Sequence, residues 1–140
     1  MGVGGVLIHE GRVLLIRRGK EPLRGRWVVP GGTVEIGETL EQALVREMAE
    51  ETDLAVRPGE VLTVFDRIHR EDDIVQYHYV IVDYLCELVS GTARAGSDAE
   101  AIAWAFPAEL GDYDLPQKAD EVIREAFRRV AEATAGPNRR

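Results

Sequence analysis

Three carboxylates, Glu47, Glu50 and Glu51, stand within five residues of one another. On a helix, positions i, i+3 and i+4 share a face, so these acids crowd together. Like charges at that spacing repel, and withdrawing each from water is costly. Two remedies exist: the acids take up protons, or a cation sits among them. Packed carboxylate oxygens suit a hard divalent ion such as Mg²⁺, which keeps several waters and takes its remaining ligands from substrate phosphates. The alternative is a solvated acidic helix end, with Arg46 as its ion-pair partner.

The element that must position the acids is a helix predicted over Thr39–Thr52. Thr39 suits an N-cap, and Gln42 lies three residues on, the spacing of a capping box. The interior is rich in Leu, Ala, Glu, Gln, Arg and Met, with neither Gly nor Pro. At about 100° per residue, Leu40, Ala43 and Leu44 share one face. Continuing that face leads to Glu47, Glu50 and Glu51, so the acids fall near the apolar stripe. Arg46 borders Glu50.

A longer pattern encloses the helix. Gly32 is followed by five residues and Glu38, then by seven residues and Arg46-Glu47-Met48-Ala49-Glu50-Glu51, and then by Leu54. This resembles the signature box of the Nudix hydrolases, a long gapped pattern of fixed spacing. One position departs: Asp53 stands where the family usually has Gly at the helix end. A left-handed residue is common there, and Asp adopts that conformation better than most non-glycine residues.

The resemblance implies an α/β/α sandwich, with a mixed sheet between the box helix and a C-terminal helix. It also implies hydrolysis of a phosphoanhydride in a nucleoside diphosphate linked to another group. Mg²⁺, or Mn²⁺ in its place, would be held by Glu47, Glu50, Glu51 and the Gly32 carbonyl. Arg46 would pair with Glu50 or Glu38. The proton acceptor would be a helix acid or one of Asp98 and Glu100, which precede the last strand; Asp98 is the candidate outside the helix. ADP-ribose or a nucleotide sugar is the favoured substrate. The alternatives are a nucleoside triphosphate, as for MutT-like members, or a non-catalytic nucleotide sensor on the same fold. The intact acid set disfavours the sensor. A homodimer is plausible because many relatives pair.

Around the box, Arg17, Arg18, Lys20, Arg24 and Arg26 form a basic stretch in an acidic chain. Of these, Arg18, Arg24 and Arg26 are candidates to face substrate phosphates or a terminal sugar. Trp104 is either core or a stacking surface for a base.

The remaining organisation is that of one domain over 1–135, with 136–140 as a disordered tail. The chain has 140 residues, 45% of them hydrophobic, which is enough for a real core. Its net charge of −8 argues against nucleic-acid or anionic-membrane partners, but not against a nucleotide substrate, because bound metal inverts the local sign. The single Cys86 cannot form an internal disulfide. No apolar run approaches the roughly 20 residues that span a membrane, and no signal peptide is visible. A cytoplasmic location is expected.

In chain order, Val3–Ile8 and Arg12–Arg18 read as a hairpin about His9-Glu10-Gly11. Gly2-Val3-Gly4-Gly5 reads as a lead-in segment whose glycines admit close packing or a ligand. Trp27–Pro30 is a short strand running into Gly31-Gly32. Leu54–Arg57 is a strand, Pro58-Gly59 a turn, and Val61–His69 a strand antiparallel to Ile74–Leu88. His69 and His78 would be cross-strand neighbours, with His78 in the core. Val89–Gly96 is a loop, and Ala101–Phe106 the last strand. Gln117–Thr134 is an amphipathic helix that packs opposite the box helix.

Overall fold

The computed structural model describes residues 1–135; the tail expected at 136–140 lies outside the described residues. The elements run β1 (Gly2–His9), β2 (Arg12–Arg18), β3 (Trp27–Val28), β4 (Gly31–Thr33), α1 (Leu40–Thr52), β5 (Ala55–Glu71), β6 (Ile74–Ser90) and β7 (Ala99–Ala105). A 3-10 helix (Pro107–Tyr113) and α2 (Gln117–Ala135) follow. The sheet order is β3-β2-β1-β6-β5, with β4 added to β1 and β7 to β2. All of its pairings are antiparallel except β1 with β6, so the sheet is mixed.

Strand alternation assigns the two faces of the sheet. Val3, Leu7, Leu14, Val82, Tyr84 and Cys86 point to one side, where they pack with Ala43, Leu44 and Met48 of α1. Val6, Val13 and Leu15 point to the other, against Val122, Ile123 and Ala126 of α2. This is the expected α/β/α layering, and α2 does lie opposite α1. Among the described residues no helix is long and apolar enough to cross a membrane.

The strands depart from expectation in several places: β5 runs on to Glu71 rather than ending at His69, and β7 spans Ala99–Ala105 rather than Ala101–Phe106. Gly2–Gly5 is no lead-in but the central part of the sheet, pairing with β4 on one side and β6 on the other. Pro58-Gly59 is not a turn: it lies inside the 17-residue β5, where the register shifts between Pro58 and Val61. Among the described residues β5 pairs only with β6, and an edge strand tolerates a residue without an N–H. Strand β6 also continues to Ser90, two residues further than Leu88.

The β5–β6 turn is made by Asp72 and Asp73 at φ 51° and 65°. Its register pairs His69 with Tyr77 and Ile68 with His78, so the two histidines are not directly opposed. His69 stacks on Tyr77 at 5.1 Å between centroids. His78 is exposed rather than buried, and its Nε2 lies 2.7 Å from Asp66 Oδ1.

Candidate active site

Helix α1 begins as its sequence requires. Thr39 Oγ1 accepts from the Gln42 N–H at 3.1 Å, and Gln42 Oε1 accepts from the Thr39 N–H at 2.9 Å. The helix ends at Asp53, which is left-handed at φ 61° and ψ 25°. The chain between β6 and β7 closes over that end: the N–H of Arg94 donates to Thr52 O and that of Gly96 to Glu51 O.

The three acids occupy three environments. Glu51 is buried at 5% exposure, and its Oε1 accepts from the Gly31 N–H at 2.8 Å. Burial raises its carboxyl to about 7, against the lowering effect of that hydrogen bond. Glu47 is half-buried beside Gly32, where a Cβ would collide with its carboxylate. Burial raises Glu47 too, although Arg46 opposes the shift. Glu50 is turned to solvent, so the inward stripe takes in Glu51 and Glu47 but not Glu50.

Arg46 ties the acids together. Its Nε and Nη2 donate to the two oxygens of Glu38 at 2.7 and 2.9 Å, and Nη2 also donates to Thr33 O at 2.9 Å. Its Nη1 lies 2.9 Å from Glu47 Oε1 and 3.3 Å from Glu50 Oε2. The pairing expected with Glu50 or Glu38 is therefore made with both. The bidentate bond from Arg46 holds the Glu38 carboxyl down at about 2.

With Nη1 standing between Glu47 and Glu50, no three acidic, histidine or cysteine side chains among the described residues converge closely enough to chelate an ion as they stand. The donor set nevertheless suits a hard cation. It consists of carboxylate oxygens, two of them destabilised as anions by burial, beside the side-chain-free backbone of Gly31 and Gly32.

A cavity of about 740 Å³ opens from Gly31, Gly32 and Thr33 toward β5, β6 and the start of α2. Arg18 and Lys20 line it, but Arg24, Arg26 and Trp104 do not. Arg26 reaches away to donate to Asp114 O at 2.8 Å. Trp104 packs against the core on the α1 side and lies 6.1 Å from His9 between ring centroids. Asp98 is held by Lys20 at 2.7 Å, and Glu100 by Arg17 at 3.1 Å.

Sequence reasoning missed Asp83, a buried acid on the cavity wall. The signal was an acid at a core-facing position of an otherwise apolar strand.

A family model described as NUDIX domain matches residues 1–130. An ADP-ribose pyrophosphatase of Methanocaldococcus jannaschii is 34% identical over 100 residues, which are 71% of this chain and 57% of that protein. A Mycobacterium tuberculosis protein named "Putative 8-oxo-dGTP diphosphatase 2" is 39% identical over 113 residues, covering 80% of this chain and 77% of its own length. The crystal structure of a MutT NUDIX hydrolase from Burkholderia pseudomallei superposes with a TM-score of 0.79 at 31% identity, covering 89% of this chain and 95% of that one. The chain thus spans little more than half the length of the archaeal relative.

Proposed function

Because the chain belongs to the NUDIX family, we propose that it hydrolyses a phosphoanhydride in a nucleoside diphosphate linked to another group, ADP-ribose or a nucleotide sugar being the favoured class. The observation that carries this reading is the juxtaposition of Glu47 and Glu51 with Gly31 and Gly32 at the mouth of the cavity. Glu47, Glu50, Glu51 and the Gly32 carbonyl would hold Mg²⁺. Bound there, the ion supplies charge neutralisation for phosphate oxygens and activation of water.

The chain's own residues do the rest. Arg46 holds the carboxylates of Glu47 and Glu50 beside Glu38, and Glu47 and Glu50 would turn from its Nη1 to take up the ion while the bidentate bond to Glu38 keeps the guanidinium in place. Gly31 allows the close packing of its strand on β1, and Gly32 leaves the Glu47 carboxylate its place beside the backbone at the cavity mouth. Arg18 faces the cavity and offsets phosphate charge, while Lys20, also on the wall, is paired with Asp98. Water's proton passes to a helix carboxylate. Asp98 and Glu100 are less suited to that role, each being committed to a cation.

A second reading, pyrophosphohydrolysis of a nucleoside triphosphate, is favoured by the 39% identity to the mycobacterial relative. One experiment decides between the two. The protein is offered ADP-ribose, nucleotide sugars and nucleoside triphosphates, with and without Mg²⁺, and the products are resolved. Nucleoside monophosphate with a sugar phosphate supports the first reading, and inorganic pyrophosphate the second. Unchanged turnover in Glu50→Gln and Glu51→Gln at saturating Mg²⁺ would remove the acids from the site.

A further inference from the structure

The cavity wall carries a side chain that this chemistry leaves unused. Asp83 lies on β6 between Ile81 and Leu85, on the face that looks toward α2, and is 4% exposed. Its Oδ1 is buried and has no hydrogen-bond partner among the described residues. Buried acceptors are normally satisfied, and an unmet one calls for an explanation. Gly4 makes the position possible, since a Cβ there would collide with Asp83 Oδ1. Gly2 likewise leaves room against Ile81. The glycines of β1 therefore floor a cavity that an ordinary strand would fill.

The surroundings indicate what completes the hydrogen bond. Gly31, Gly4 and Asp83 stand in register on three adjacent strands. Two interstrand steps put Asp83 roughly 10 Å from Gly31, a span that a diphosphate and a ribose bridge. Phe65, paired with Ile81 one step along the same face, lines the cavity beside it, and Tyr79 and Tyr77 line it further along β6. Aromatic walls suit a flat heterocycle better than a sugar. An ionised carboxylate only accepts hydrogen bonds, so it selects for a donor. Burial raises the Asp83 carboxyl, and Arg67 and Lys118, also on the wall, oppose that shift and so support the ionised form.

We propose that Asp83 is a specificity-determining residue that accepts a hydrogen bond from the amino group of the substrate's nucleobase, seated against Phe65, which pairs with Ile81 one step along the same face. The assignment rests on the nucleoside diphosphate reading above and names the part of the nucleotide that the far end of the cavity reads. A buried carboxylate denied its donor loses both the bond and its hydration, so an analogue without the amino group is rejected.

Calorimetric titration of the full-length protein without metal tests this. The ligands are AMP against purine riboside 5′-monophosphate, GMP against inosine 5′-monophosphate, and ribose 5-phosphate. The wild type should bind the amino-bearing member of at least one pair about ten- to a hundred-fold more tightly. Asp83→Ala should abolish that ratio and leave ribose 5-phosphate unaffected. Equal affinities within both pairs for the wild type, a comparison that needs no variant, would overturn the assignment. So would failure of every nucleotide to bind, or an Asp83→Ala effect as large on ribose 5-phosphate, which would put the carboxylate on the sugar. Hydrolysis without any such ratio overturns this assignment alone. A ratio without hydrolysis overturns the hydrolase reading alone.

Discussion

Asp83→Asn should make the protein more stable, and increasingly so as the pH rises. Burial pushes the Asp83 carboxyl from its ordinary 3.8 to about 6, with Arg67 and Lys118 pulling the other way. A group whose folded-state pKa is raised holds its proton more tightly when folded, so stability falls as pH climbs from the unfolded value through the folded one. Two pH units at about 1.36 kcal/mol each give a penalty of ~3 kcal/mol that is fully present by pH 8 and absent below pH 3.8. About half of it has developed by pH 5, which leaves roughly 1.5 kcal/mol between pH 5 and pH 8.

Asn is nearly isosteric and does not ionise, so its own fixed cost is the same at every pH. The neighbouring Cys86 thiol is pushed up to about 12 by burial and by Asp83, and so does not titrate in this window. Urea unfolding of both proteins at pH 5, 6, 7 and 8, followed by tryptophan fluorescence, measures the difference. Its growth with pH is the signature of the buried carboxylate. A difference that stays flat from pH 5 to pH 8 would refute the reasoning and return Asp83 to an ordinary solvated acid.

The two glycines of the box strand should respond differently to alanine. A Cβ at Gly31 meets the Val3 carbonyl and, at 2.8 Å, the Gly4 Cα, which are backbone atoms that cannot move aside. Gly31→Ala should therefore lose about 3 kcal/mol in urea unfolding. A Cβ at Gly32 meets first the Glu47 carboxylate, the far end of a flexible side chain. Gly32→Ala should melt within about 1 kcal/mol of the wild type but lose most of the Mg²⁺-dependent rise in melting temperature, because the carboxylate has been displaced. At the end of α1, Asp53→Gly should relieve a left-handed residue at φ 61° and add up to about 1 kcal/mol, with turnover unchanged.

Local chemistry was legible wherever it is decided locally. The Thr39/Gln42 capping box, the left-handed end at Asp53, the apolar stripe of α1 and the amphipathic face of α2 depend on neighbours within one or two turns, and each follows from residue types and spacing. The errors fell where distant chain decides. Pro58-Gly59 reads as a turn by composition, yet β6 carries the strand through it as an edge. Gly2–Gly5 has weak strand propensity, and its place in the sheet comes from being paired on both sides. Trp104 and Arg26 have suitable chemistry for a substrate, but the topology turns one toward the core and the other toward Asp114. Asp83 is hidden in the sequence because a single acid in a long strand reads as a solvent-facing residue, and only the packing of β6 between β1 and β5 buries it.

The acid cluster shows why its reading as a plain solvated helix end is insufficient. Arg46 lies within 4 Å of four carboxylates, Glu35, Glu38, Glu47 and Glu50, and is committed most strongly to Glu38. One guanidinium cannot balance four acids, and Glu51 points instead to the Gly31 N–H. The unbalanced charge is concentrated on the buried side, where Glu47 and Glu51 are both raised by desolvation while the outer Glu38 is lowered. A helix end meant only for solvent would show the reverse, with its acids exposed and its arginine on the buried member. The cluster leaves its least satisfied carboxylates facing the glycine-bare mouth of the cavity, where an incoming cation gains most and a neutral ligand gains nothing.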